Sequence, residues 1–133
     1  MRYLLDTSAL LAHYRGETGA QGVQAIFEDE TAEIFISAVT LAELSRRLHD
    51  LGVPADALFV GLSSYEAACN AVLPVDAETA RAAYRLIRAT PTRLPLVDAL
   101  IAATATQAAA TLVHRDAHLS AIPASELSQQ TLP

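Results

Sequence analysis

Short apolar runs alternate with stretches of helical periodicity along the chain. The runs at 2–5, 33–37, 71–75 and 110–114 have the length and residue types of buried strands, and a last strand is predicted within 126–132. Strands that alternate with helices indicate an α/β fold. We therefore predict an α/β/α sandwich of three layers around a mostly parallel central sheet.

Helices are predicted between these strands, because apolar residues there recur every three or four positions. The predicted helices span 8–14, 18–29, 40–51, 54–70, 77–90 and 97–109, and a single helical turn follows residue 117. Asp76 is a suitable N-cap for the helix 77–90, and Gly52 is a suitable C-terminal stop for the helix 40–51. Residues 1–133 form one predicted domain, with neither a linker nor a repeat.

Composition narrows the class of protein. Hydrophobic residues make up 52% of the chain and charged residues 18%, so we expect a packed core and not a disordered chain. Cys69 has no partner for a disulfide, which fits a reducing, cytoplasmic compartment. The N-terminus lacks a signal-peptide pattern, and the apolar stretch 94–113 is broken by Pro95 and Asp98, so no membrane span is predicted.

The net charge of −6 argues against a protein that grips nucleic acid by its overall charge. All nine basic residues are Arg, which can bind phosphate or carboxylate with two parallel hydrogen bonds. Aromatic residues make up only 5% and Trp is absent, so a platform for stacking bases is not expected. Any contact with nucleic acid should therefore be local.

Four acidic residues lie in apolar surroundings at strand ends or early in helices: Asp6, Glu43, Asp98 and Asp116. In parallel sheets, ligands bind beyond the carboxyl ends of the strands, and all four acids can reach that edge. Carboxylates held together repel one another unless a cation joins them, and Mg²⁺ prefers oxygen ligands. The pattern predicts a metal site.

Each acid also has a structural explanation. Asp6 and Asp116 can cap the helices that follow them, and Asp98 can offset a helix dipole. Glu43 fits a capping box with Thr40, three residues earlier. Taken singly, these roles explain the acids as well as a metal site does. Taken together, three Asp and one Glu at one edge favour the metal site.

Four motifs in order along the chain resemble those of PIN-domain ribonucleases, and most of all the VapC toxins of bacterial toxin–antitoxin pairs. The motifs are 4–10 (LLDTSAL), 36–44 (ISAVTLAEL), 96–103 (LVDALIAA) and 111–119 (TLVHRDAHL). The fourth motif departs from the common form, because His114 replaces a Thr, His118 replaces a second acid and Leu119 replaces a Phe. The motifs are spread, in the family's order, across nearly the whole chain.

The resemblance implies that the four acids hold one or two Mg²⁺ or Mn²⁺ ions and act as the catalytic residues of an endoribonuclease. It also implies that Ser8 or Thr7 orients Asp6 or binds the metal through water. A homodimer inhibited by a VapB-like antitoxin is the assembly typical of such proteins. Arg46, Arg47 and Arg115 are our candidate contacts to the RNA substrate.

Three other interpretations remain open from the sequence. An aspartyl-phosphate phosphotransferase would use Asp6, but it needs a second Asp where Ser8 stands. A PIN-like fold can also be an interaction module with little or no catalysis. His114 and His118 flank Asp116 as in a zinc site, although no third ligand with suitable spacing stands out.

Overall fold

The computed structural model describes all 133 residues, Met1–Pro133. Its single sheet has the strand order β3-β2-β1-β4-β5, and every neighbouring pair is parallel. The strands are β1 (Arg2–Leu5), β2 (Glu33–Ser37), β3 (Ala71–Leu73), β4 (Thr111–His114) and β5 (Gln129–Thr131). The predicted α/β class is confirmed, and the sheet is wholly and not just mostly parallel.

Seven helices connect the strands. They are α1 (Thr7–Arg15), α2 (Ala20–Glu28), α3 (Ala38–Asp50), α4 (Ala55–Ala68), α5 (Ala77–Ala89), α6 (Leu96–Gln107) and α7 (Ala117–Ser120). Every predicted helix is present, with ends that differ by at most two residues. None of them combines the length and apolar character that crossing a membrane requires.

Two apolar cores lie on opposite faces of the sheet, because successive side chains of a strand point to opposite sides. Leu4 and Leu112 belong to the core that α5 and α6 cover. Leu5 and Val113 belong to the core that α1, α2, α3 and α4 cover. This arrangement confirms the three predicted layers.

Helix α3 begins two residues earlier than the sequence suggested. Ser37 is its N-cap, and the Ser37 Oγ accepts a hydrogen bond from the backbone N–H of Val39 at 3.2 Å. The predicted capping box between Thr40 and Glu43 is therefore wrong, because both residues lie inside the helix. Glu43 therefore does not cap the helix, and the capping box no longer explains why an acid stands at this position.

Three other boundaries differ for local reasons. Helix α2 begins at Ala20 and not at 18, because Gly19 takes a left-handed conformation with φ of 98°. Strand β3 ends before Pro74, which has no N–H to donate to a neighbouring strand. Strand β5 is shorter than predicted because the backbone N–H of Leu127 bonds to Pro123 O in a preceding turn.

Candidate metal centre

Asp6 lies at the carboxyl end of β1, in the middle of the sheet. Its backbone N–H donates to Val113 O at 3.0 Å, which fixes it beside the end of β4. Its Oδ2 accepts hydrogen bonds from the Ser8 backbone N–H, at 3.0 Å, and from the Ser8 hydroxyl. The Asp6 Oδ1 atom is buried without a partner. Asp6 therefore caps α1 with one oxygen and keeps the other free.

The environment of Asp6 disfavours its charged form. Burial raises the pKa of its carboxyl group above the ordinary value, and the charges of Glu43 and Asp116 raise it further. The hydrogen bonds from Ser8 act in the opposite direction and are outweighed. An unpaired, buried oxygen among like charges is the environment in which a bound cation would stabilise the charged form.

Asp98 lies in the first turn of α6, and its side chain is only 12% exposed. Burial, together with the smaller effect of the charges of Asp116, Asp6 and Glu43, raises the pKa of Asp98 to about 7. His118 partly offsets this rise. The site thus concentrates negative charge that the surrounding protein does not neutralise.

Asp116 is held by the chain on both sides of it. Its backbone N–H donates to His114 Nδ1 at 3.1 Å, and its Oδ1 accepts from the backbone N–H of His118 at 2.8 Å. His114 is fully buried, and its Nε2 lies 2.7 Å from Gln129 Oε1, so Nε2 carries the proton. Both nitrogens of His114 are engaged, so His114 positions Asp116 and is not available as a metal ligand.

His118 was considered from the sequence only with His114, as part of a possible zinc site, and was not placed among the residues of the predicted metal site. Its Nδ1 lies 3.3 Å from Asp116 Oδ1 and 3.8 Å from Asp98 Oδ2. One atom from each of these three side chains lies within 4.8 Å of the others. The sequence signals were the position of His118 two residues after Asp116 and its place in the fourth motif, where the resembled family often has a second acid.

Glu43 joins this group from α3. Its side chain is half-buried, and its charge contributes to the raised pKa of both Asp6 and Asp98. The four predicted acids therefore share one electrostatic environment, with Asp98 and Asp116 in the closest group.

The two predicted supporting residues behave differently. Ser8 donates its hydroxyl hydrogen to Asp6 and accepts a hydrogen bond from the backbone N–H of Arg115 at 3.0 Å. It thereby ties the first acid to the loop that carries Asp116. The Thr7 Oγ1 atom is buried and makes no hydrogen bond, so Thr7 does not orient Asp6.

The three candidate arginines separate into two groups. Arg47 and Arg115 line an open cavity together with Ser8 and Asp116, directly beside the acidic group. Arg46 is strongly exposed, pairs with Asp50 at 3.9 Å and does not line this cavity. Arg47 and Arg115 are therefore better placed than Arg46 to meet an anion at the site.

Comparisons with known proteins agree with this fold. The sequence model of the PIN domain matches residues 3–124. VapBC2 from Rickettsia felis, solved with a fragment of promoter DNA, is 20% identical over the whole of both chains with a TM-score of 0.78. DNA-bound VapBC from Salmonella typhimurium is 18% identical over 98% of each chain, with a TM-score of 0.76.

A third similar structure is the Mycobacterium tuberculosis toxin VapC20, described as cleaving the sarcin–ricin loop. It is 18% identical over 90% of this chain and 93% of its own, with a TM-score of 0.71. No curated protein matches the sequence. At these identities the solved structures establish a common fold.

Proposed function

We propose that this chain, which belongs to the PIN domain family, is a metal-dependent endoribonuclease that acts as the toxin of a toxin–antitoxin pair. The observation that carries the proposal is the unpartnered, buried Oδ1 of Asp6, which lies among carboxylates whose charges raise the pKa of Asp6 and of Asp98. Such a set of oxygen ligands fits Mg²⁺ or Mn²⁺. The similar structures of toxins in complex with antitoxins support the biological role.

Asp6, Asp98, Asp116 and Glu43 would hold one or two ions. A bound ion supplies a water of lowered pKa as nucleophile and offsets the charge that develops on the phosphate oxygens. The four carboxylates are also the catalytic residues of our proposal.

Two further residues would hold the acids in place, and two arginines would contact the RNA. Ser8 holds Asp6 in place, and His114 holds the backbone of Asp116. Arg47 and Arg115 border the same cavity, where their guanidinium groups would contact the phosphates of the RNA. This local set of cations explains how a chain of net charge −6 would bind RNA without a broad basic surface.

We also propose two protein partners, a VapB-like antitoxin and a second copy of the chain. Large apolar side chains are exposed on three helices, and burying them against a partner would favour association. They are Phe59, Val60, Tyr84 and Leu96. Light scattering of the purified chain, alone and with the product of an adjacent short reading frame, would measure both associations. A protein that stays monomeric and binds no such product would contradict this part.

The nuclease is tested by incubating the purified protein with total RNA in Mg²⁺, Mn²⁺ or EDTA and mapping the new RNA ends. We expect ends that require the metal and that disappear with Glu43→Gln. Glu66→Gln, on the exposed side of α4, is the matched control and should cleave like the wild type.

Two outcomes of this experiment would count against the nuclease. Ends that persist in EDTA would exclude the metal site, and the absence of any new ends would favour an interaction module. In that second case, replacing all four acids would leave partner binding intact.

A further inference from the structure

The position of His118 adds a nitrogen atom to a site that otherwise offers carboxylate oxygens. Two atoms that bind one ion at about 2.1 Å lie at most about 4.2 Å apart, and about 3 Å apart when they are adjacent ligands. The distances from His118 Nδ1 to Asp116 and Asp98, 3.3 and 3.8 Å, lie within this range. The imidazole is therefore spaced as a third ligand of the same ion.

The imidazole of His118 is also free to bind. Its side chain is 57% exposed, and its Nδ1 approaches the two acids. Its backbone N–H bonds to Asp116 Oδ1, which holds the start of α7 and the imidazole beside the acid. His114 differs because hydrogen bonds engage both of its ring nitrogens.

A second observation indicates a ligand at this place. Asp6 is 2% exposed, and its Oδ1 atom has no hydrogen-bond partner, although a buried carboxylate oxygen normally has one. Asp6 and Asp116 are close enough for their charges to act on each other. The unpartnered carboxylate of Asp6 therefore lies within electrostatic reach of both Asp98 and Asp116, the two acids of the group that would hold the ion.

We infer that His118 is a nitrogen ligand of the bound ion and shifts the preference of the site from Mg²⁺ toward Mn²⁺ and later transition-metal ions. Mg²⁺ demands a near-ideal octahedron of oxygens, whereas imidazole nitrogen suits transition metals. The inference rests on the proposed function, because it takes the same acids as the other ligands. A charged imidazole that only forms an ion pair with the two acids is the competing explanation, and it predicts that metal and His118 repel each other.

The test is pulsed electron paramagnetic resonance of Mn²⁺ bound to the full chain, which detects nitrogen bonded directly to the ion. We expect nitrogen coupling in the wild type and its loss in His118→Ala. His49→Ala removes an exposed histidine at the far end of α3 and should keep the coupling.

Calorimetry with Mn²⁺ and Mg²⁺ then measures selectivity. In His118→Asp, which supplies an oxygen ligand instead, we expect the preference for Mn²⁺ over Mg²⁺ to fall about tenfold or more. In His49→Asp the preference should stay at the wild-type value.

The outcomes separate this inference from the proposed function. Wild-type protein that binds Mn²⁺ without nitrogen coupling, or with unchanged selectivity in His118→Asp, would overturn the role of His118 and leave the nuclease standing. Wild-type protein that binds neither ion at millimolar concentration would overturn both.

Discussion

Replacing Asp98 by Asn should stabilise the metal-free protein at neutral and alkaline pH. The Asp98 carboxylate is nearly buried, and burial together with the charges of Asp116, Asp6 and Glu43 raises its pKa to about 7. Asn has nearly the same shape and carries no charge, so the substitution removes this unfavourable ionisation. A residue that serves function at the expense of stability should behave in this way.

The size of the effect follows from the pKa. A rise from 3.8 to about 7 corresponds to about 4 kcal/mol, at about 1.4 kcal/mol for each pH unit. The buried amide of Asn also loses contact with water, so we expect a gain of about 2 to 4 kcal/mol in the free energy of unfolding.

The sign follows from proton binding. The folded state binds the Asp98 proton more tightly than the unfolded state does, so the stability contributed by the protonated carboxyl is fully present below about pH 4. This contribution is lost as the pH rises through about 7. The two proteins should therefore differ little at pH 4 and most at pH 8.

Urea unfolding in EDTA at several pH values measures this difference. Asp50→Asn, at an exposed site on α3, is the matched control and should change stability by much less. Adding Mn²⁺ should stabilise the wild type more than Asp98→Asn, because the ion binds the folded carboxylate. An Asp98→Asn protein that is no more stable than the wild type at pH 8 in EDTA would refute the reasoning.

Three further substitutions test the positioning of the site. Arg47→Ala should raise the KM for RNA several-fold, whereas Arg46→Ala should leave it unchanged; equal effects in steady-state kinetics would contradict the separation of the two arginines. Ser37→Ala should lower the free energy of unfolding by about 1 kcal/mol in urea, because α3 loses its N-cap, and an unchanged value would count against that role. His114→Ala should cost about 2 to 4 kcal/mol in the same assay and weaken Mn²⁺ binding in calorimetry, because the Asp116 backbone loses its acceptor; intact binding would show that His114 does not position Asp116.

The sequence was sufficient for the architecture because buried parallel strands are short apolar runs. The sequence predicted the ends of helices less reliably, because more than one nearby residue can serve as the N-cap. Both Ser37 and Thr40 are suitable N-caps, and only the backbone conformation decides for Ser37. In the same way, Gly19 begins α2 through a left-handed conformation that its residue type permits but does not require.

The order and direction of the strands are enough to predict part of the site. The acids that follow β1 and β4 must meet, because these parallel strands are neighbours and end at the same edge. The approach of His118 to Asp98 depends on how α7 packs beside α6, which the sequence pattern does not specify. The difference between Arg46 and Arg47 likewise depends on the rotation of α3, since adjacent helical residues point about 100° apart.

The most direct test of the account is the cleavage rate at one mapped phosphodiester in Mn²⁺, for wild type, Asp6→Asn and Asp29→Asn. Asp29 is an exposed acid in the turn after α2 and serves as the control. We predict that Asp6→Asn, with unchanged circular dichroism, loses about 10³-fold in rate, as removal of several kcal/mol of metal-dependent stabilisation requires. The control should cleave at the wild-type rate. Equal rates for Asp6→Asn and wild type would contradict the claim that these carboxylates form a nuclease centre.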